Sequence, residues 1–390
     1  MNILIIPSWY PDEKNPETGC FFRDQAKTLV DKGHAVTVLR ISVDSIADCL
    51  KHGYIRKVKY INDEGIATYY ISVCAFGTAH LGHLFYKLQE RVAKRAIRCL
   101  QKRGICFDVI HAHSFRNGGY LACKCKRIVN CPVIVTEHLS TIENNKLTSI
   151  EQDNLKYTVN NADRFICVSD HLRTVVKEKT NTNKEIIVIP NMLSKLFYFD
   201  NTVLKYEKFT FIAAGALRAI KQYDLMIRAF SKAFNGKMGI QLLICGEGDE
   251  RGNLEKIISN YNLNDFVFLI GHQSRSDLSE KMKRSHAFVQ SSKSETFGVA
   301  QIEAMASGLP VIGTLNGGSN ELLNTYGATA VAVGNVDEMA SAMQQVYESY
   351  SKYDCGLIAK NAINKYGRFE IINAIESVYT SAIDDYDSKQ

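Results

Sequence analysis

The sequence predicts an α/β chain of two doubly wound parallel-sheet domains in tandem, facing each other across a central cleft. Three observations carry this. The chain has 390 residues, too many for one ordinary core, and two domains of roughly 150 to 200 residues fit the length. Strand-length apolar runs alternate with helix-length amphipathic ones, the pattern of a parallel sheet covered on both faces. That alternation breaks once, after Pro190-Asn191, and then restarts.

Taken in order, Ile3 to Pro7 is a buried strand followed by a long Pro/Asp/Asn loop. Cys20 to Lys32 reads as a helix ending at Gly33, and Ala35 to Arg40 as the next strand. Asp108 to His111, Val133 to Thr136, Arg164 to Val168 and Ile186 to Ile189 complete the first set, with helical patterns between them. In the second half the strands are Thr210 to Ala214, Gln241 to Cys245, Phe266 to Leu269, Ala287 to Gln290 and Pro310 to Gly313. The helices are Asp224 to Phe234, Asn253 to Tyr261 and Val299 to Ala306. The expected division is a Rossmann-like domain over 1–191, a linker over 192–208, a second Rossmann-like domain over 209–368, and a C-terminal helix over 369–390 that crosses back to the first domain. Doubly wound sheets bind ligands at their strand C-termini, so these are where candidate residues are sought.

Composition excludes several classes. No apolar run approaches the ~20 residues a membrane span needs. The N-terminal Ile-Leu-Ile-Ile run has no basic flank and meets Pro7 at once, unlike an export signal. The expected location is therefore the cytoplasm, with peripheral contact at the inner face of the membrane as an option. Eleven cysteines are scattered without a CxxC pair; they read as reduced structural thiols, and no metal site is expected. A net charge of +6 favours anionic partners weakly. The basic residues are dispersed, so nucleic acid is not an expected partner.

The most informative segment runs from Ser291 to Gly308. It places Glu295 in a loop after a strand, turns at Phe297-Gly298 and enters a helix at Val299 that carries Glu303 two turns in. Gly298 permits close backbone approach, and the free amides at the helix start, from Val299 onward, can bind phosphate or sugar oxygens. Glu303 can accept the paired hydroxyls of a ribose, and Glu295 those of a sugar ring. Two glutamates alone read more simply as a helix-dipole acid and a surface charge. Gly308-Leu-Pro-Val-Ile312 and Gly317-Gly318-Ser-Asn-Glu321 follow them.

In this order the motifs E-x7-E, G-x-P-V-I and GG-x-x-E resemble the retaining GT-B glycosyltransferases of glycosyltransferase family 4 (group 1), and the resemblance extends over the whole chain. It implies the GT-B fold and a sugar moved, with retention, from a nucleoside-diphosphate donor to a glycan or lipid-linked saccharide. Surface polysaccharide or glycoconjugate biosynthesis is the implied setting. No cofactor is implied beyond the nucleotide sugar as co-substrate.

Gly215-Ala-Leu-Arg-Ala-Ile-Lys221 follows the first strand of the second half, where cations can neutralise a diphosphate. Similar family members carry an arginine directly after the glycine and a lysine six positions after it. Lys221 matches; Ala216 departs from the pattern, and Arg218 is either its stand-in or a solvated loop charge. Gly246-Glu-Gly248 reads as a glycine turn at the cleft floor and not as an NAD fingerprint, since Asp265 is badly placed to hold an NAD ribose; the resemblance implies a nucleotide near it. In the first half His113 ends a strand, and the resemblance implies that it contacts the transferred sugar, whereas His111 reads as structural. Gly19 allows close approach to a diphosphate. Trp9 and Tyr10 either stack on an acceptor sugar or pack the loop, and Glu137 and His138 close another strand on the acceptor side. The catalytic set is thus His113, Glu295 and Lys221. The donor set is Gly19, Arg218, Lys221, Gly246, Gly248, Glu295, Phe297, Gly298, Val299 and Glu303.

His80 to Gly104 carries seven cations on a helical pattern with Leu84, Leu88, Val92 and Leu100. It is either a helix resting on an anionic membrane or an amphipathic cover for the sheet. Two other activities stay open: a nucleotide-sugar epimerase on the same fold, and an inactive nucleotide-binding partner subunit, to which the missing arginine gives weight.

Overall fold

The computed structural model describes all residues except 13–16, 52, 54–55, 75–81, 144–145, 235 and 390. Part of the N-terminal loop and the first two residues of the expected basic helix, His80 and Leu81, lie outside the described residues. The chain divides into two compact units, Met1–Pro190 with Ile371–Gln390, and Asn191–Glu370.

The first unit holds eight strands: β1 (Asn2–Pro7), β2 (Ala35–Asp44), β3 (Arg56–Asp63), β4 (Ile66–Cys74), β5 (Val109–His113), β6 (Val133–Glu137), β7 (Arg164–Cys167) and β8 (Ile187–Val188). They are ordered β3-β4-β2-β1-β5-β6-β7-β8. All neighbours are parallel except β3 and β4, an antiparallel hairpin. Its turn residues Glu64 and Gly65 both have positive φ, at 52° and 91°, as a two-residue hairpin connection that matches strand twist requires. Ile3, Leu4, Ile5, Val109, Ile110, Val133 and Ile134 have no exposed surface, as expected of central parallel strands covered on both sides.

The second unit holds β9 (Phe209–Ala214), β10 (Ile240–Cys245), β11 (Val267–Leu269), β12 (Ala287–Gln290), β13 (Val311–Thr314) and β14 (Ala328–Val331). Their order is β11-β10-β9-β12-β13-β14, parallel throughout. The direction of winding reverses between β9 and β12, the place where an open α/β sheet leaves a crevice for ligand. The helix Tyr223–Phe234 buries Leu225, Met226, Ile227, Ala229, Phe230 and Phe234 against this sheet. Each large apolar side chain there contributes about 1.5–3 kcal/mol.

One boundary differs from expectation. Residues 192–208 are not a free linker. Met192, Leu193 and Phe197 are buried, Leu193 N–H donates to Tyr366 O at 2.8 Å and Tyr206 N–H to Arg284 O at 2.9 Å. The aromatic residues that made the stretch irregular in sequence are its anchors to the second unit. The C-terminal helix spans Arg368–Asp387. Its Tyr379 hydroxyl lies 2.6 Å from His111 Nδ1, and Glu376 pairs with Lys32 and His34 (His34 Nε2 at 2.5 Å).

The basic helix spans Gly82–Gln101 and buries Gln89, Ala93, Ala96, Ile97 and Leu100. Lys87, Arg91, Arg95 and Arg98 are exposed along one stripe, continued by Lys102 just beyond the helix. Lys94 is turned aside to Glu90 at 2.5 Å. Among the described residues no helix is long and apolar enough to cross a membrane.

Candidate active site

The winding reversal of the second sheet carries the densest polar constellation. Strand β9 ends at Ala214 and strand β12 at Gln290, so the loops 215–222 and 291–298 leave the sheet side by side. They are stitched together. Lys293 N–H donates to Ile220 O at 2.8 Å, and Ser291 Oγ donates to Lys221 O and Gln222 O at 2.7 and 2.9 Å. On this frame Lys221 Nζ forms an ion pair with Glu295 Oε1. Gln290 Nε2 and Ser292 Oγ donate to the same oxygen at 2.5 and 2.7 Å. Neither Gln290 nor Ser292 was singled out from sequence, although both flank Glu295 in the motif.

Gly298 sits at the N-cap of the helix Val299–Ala306 with φ 106°, a conformation that favours glycine. Gln301 N–H is the first to find a partner within the turn, Gly298 O at 3.0 Å. The amides of Val299 and Ala300 ahead of it have no intrahelical acceptor, as at any helix start. They and Lys221 Nζ are the positive groups here, and such an arrangement binds phosphate oxygens. On the same helix Glu303 is 3% exposed and accepts from Arg275 Nη2 at 2.7 Å.

The glycines act mainly on the chain itself. A Cβ on Gly246 would lie 2.0 Å from Gly215 O, and one on Gly248 would lie 2.4 Å from Leu217 O. These two positions are empty because loop 215–217 rests on them. The Phe297 ring is buried against Tyr366, with centroids 5.7 Å apart. Ala216 and Arg218 are both exposed, and Arg218 makes no ion pair among the described residues.

In the first unit the winding reverses between β1 and β5. Ser8 holds their ends together: its N–H and Oγ donate to His113 O at 3.1 and 2.7 Å. Gly118 N–H donates back to Ser8 Oγ at 3.0 Å. After His113 the chain enters a π-helical turn, Ser114–Gly119, through Ser114 at φ 61°. Both features are costly and recur at functional sites. His113 ends β5 as expected, and its ring is fully buried. It stacks on Phe22 (4.3 Å, 24°), its Nδ1 lies 3.3 Å from His138 Nε2, and Nε2 has no partner among the described residues. Phe22 in turn meets Trp9 at 5.4 Å. A Cβ on Gly19 would meet Trp9 Cδ1 at 2.9 Å, so this glycine accommodates the indole.

Two acceptor-side expectations are corrected. Tyr10 is 1% exposed and cannot stack on a sugar in this arrangement. Glu137 has no exposed surface. Its carboxylate accepts from Phe115 N–H at 2.7 Å, His138 N–H at 2.8 Å and Leu139 N–H at 2.9 Å. It clamps two loops instead of meeting a ligand. Burial still holds its pKa above the usual carboxylate range, against the pull of those amides.

His111 bridges Tyr379 and Thr136, and burial, with His138 adding, pushes its pKa down to about 3. Burial, then His111 and His138, lowers His113 well below the ordinary value of 6.5. Both are neutral when folded and take up a proton when unfolded below that value, so the stability they permit is lost as pH falls through 6.5. Between pH 7.5 and 5.5 each should remove about 1.4 kcal/mol. Urea melts at pH 7.5 and 5.5 test this, and equal stability at both would contradict it.

Two doubly wound units with polar constellations at their winding reversals define a GT-B glycosyltransferase. Residues 21–194 match Glycosyltransferase Family 4 and residues 194–368 match Glycosyl transferases group 1, and the chain belongs to this family. It is 25% identical over 394 residues to the phosphatidylinositol N-acetylglucosaminyltransferase gpi3 subunit of Schizosaccharomyces pombe, covering 97% of this chain and 80% of that one. It is likewise 25% identical to the N-acetyl-alpha-D-glucosaminyl L-malate synthase of Bacillus anthracis, over 71% of this chain and 76% of that one. Among solved structures, Anabaena Alr3699/HepE in complex with UDP superposes with a TM-score of 0.73 at 17% identity, covering 98% of this chain and 100% of that one.

Proposed function

We propose that the protein transfers a hexose-type sugar, with retention at the anomeric carbon, from a nucleoside-diphosphate donor to a glycan or lipid-linked saccharide. The observation that carries this is Lys221, Glu295 and the amides of Val299 and Ala300 gathered at the winding reversal of the second sheet. The relatives named as N-acetylglucosaminyl transferases and the neighbour holding UDP support it.

In this reading Lys221 and the two amides hold the diphosphate and Glu303 the ribose. Glu295 holds the donor sugar's hydroxyls once Lys221 turns from it to phosphate. The bond from C1 to the phosphate oxygen breaks, its electron pair leaving with the diphosphate. The acceptor hydroxyl forms the new C1–O bond on the same face, and its proton passes to a diphosphate oxygen. Charge stabilisation at the leaving group is the main task. His113, through its unpartnered Nε2, is assigned to the sugar, and half-buried Trp9 and His138 to the acceptor. No metal is assigned, because the lysine and the helix start supply the positive charge. The setting is the cytoplasm.

A thermal-shift panel of UDP, GDP, ADP and their common sugars, run with and without chelator, tests the donor. One nucleotide should raise the melting temperature in both conditions. No response to any of them contradicts the reading, and a response abolished by chelator contradicts the metal-free assignment. Product analysis with donor alone should show no epimerised sugar.

The stripe of Lys87, Arg91, Arg95 and Arg98, with Leu84 49% exposed beside it, fits an anionic bilayer. Each cation near such a surface contributes about 1 kcal/mol. The R91Q/R95Q pair should therefore weaken sedimentation with phosphatidylserine vesicles about thirtyfold. Equal binding by wild type to neutral vesicles would remove the membrane assignment.

A further inference from the structure

We propose that Arg275 is a positioning residue for nucleotide recognition, holding Glu303 in the geometry that distinguishes a ribonucleotide from its 2′-deoxy form. The inference rests on the reading of Glu303 as the ribose ligand. Arg275 is the first residue of the helix Arg275–Arg284, whose cap is Ser274. A cation there opposes the helix dipole, so helix stability does not account for it. Its guanidinium instead reaches across to Glu303, with Nη2 2.7 Å from Oε1, from an element 28 residues away in sequence.

The reach is braced. The Arg275 guanidinium lies 5.3 Å from the ring centroid of Phe197, itself 2% exposed. Ser279 Oγ donates to Leu196 O at 2.6 Å, fixing the next turn of the same helix to the segment that carries the ring. A planar cation on a fixed aromatic floor presents its N–H groups in one plane. A nearly buried glutamate bonded to it keeps one rotamer. Paired hydroxyls recognised by such a fixed carboxylate are discriminated strongly from a partner lacking one, since the buried group is then left short of a donor.

The test measures binding of UDP, GDP or ADP, whichever stabilises the wild type, against the matching 2′-deoxynucleoside diphosphate and inorganic pyrophosphate. Wild type should prefer the ribonucleotide. Arg275→Gln should weaken ribonucleotide binding about tenfold, erase that preference and leave pyrophosphate binding unchanged. Arg275→Lys should restore part of the preference, which a fold defect would not. The double variant with Glu303→Gln should be no weaker than Glu303→Gln alone. If Glu303→Gln keeps the preference, the ribose reading itself fails. If Glu303→Gln erases it while Arg275→Gln keeps it, the Arg275 proposal alone fails. Equal loss of pyrophosphate binding would make Arg275 a phosphate ligand and overturn its positioning role.

Discussion

Lys221→Ala is expected to lower turnover about thirtyfold or more, the roughly 2 kcal/mol or greater that follows loss of one donor to developing negative charge. The fold should survive. Lys221 sits in a short 3-10 turn whose own bonds are backbone to backbone. Glu295 keeps Gln290 and Ser292 as donors when the ammonium is gone. The loss should be heavier for a second reason. The arginine that similar family members carry directly after the glycine is Ala216 here, and Arg218 is exposed without an ion pair among the described residues, so the lysine has little support. Lys221→Arg should recover part of the rate. Steady-state kinetics with a competent donor decide it, and normal turnover in Lys221→Ala would refute the assigned role.

Gly318→Ala should cost still more activity, about a hundredfold, without touching any group that meets substrate. A Cβ there would lie 1.9 Å from Glu295 O and 2.4 Å from Thr296 C. Both are backbone atoms, and the Glu295 strand segment is bridged to Gly317 as a parallel pair. Relief requires the 295–297 loop to move by more than an ångström, which takes Glu295 away from Lys221 and shifts the start of the helix at Val299. Misplacement of about 1 Å costs rates of this order. Circular dichroism should report a folded protein. A variant with wild-type turnover would show that the GG-x-x-E loop does not set the position of Glu295.

The parts of the site read from sequence are those whose chemistry is local. Glu295, Gly298 and Glu303 lie within nine residues, and the strand before and helix after them were placed to the residue. Lys221 was found because it follows a strand end by a fixed count. What stayed hidden depends on contacts far apart in sequence. Arg275 shows nothing in its own neighbourhood, since its partner is on another helix. Glu137 looked like a ligand because acids at strand ends often are; only the folded chain brings Phe115, His138 and Leu139 amides onto it. Gly246 and Gly248 resembled a nucleotide turn, yet glycine is equally required where backbone meets backbone. The hairpin β3–β4 was missed although Asp63-Glu-Gly65 between alternating residues is a readable turn.

The most direct test is a crystal structure with the nucleoside diphosphate that stabilises the protein. The account predicts the terminal phosphate within about 3 Å of Lys221 Nζ and of the amides of Val299 and Ala300, and Lys221 released from Glu295. The ribose hydroxyls should lie on Glu303. A diphosphate bound elsewhere, with Lys221 still paired to Glu295, would contradict it.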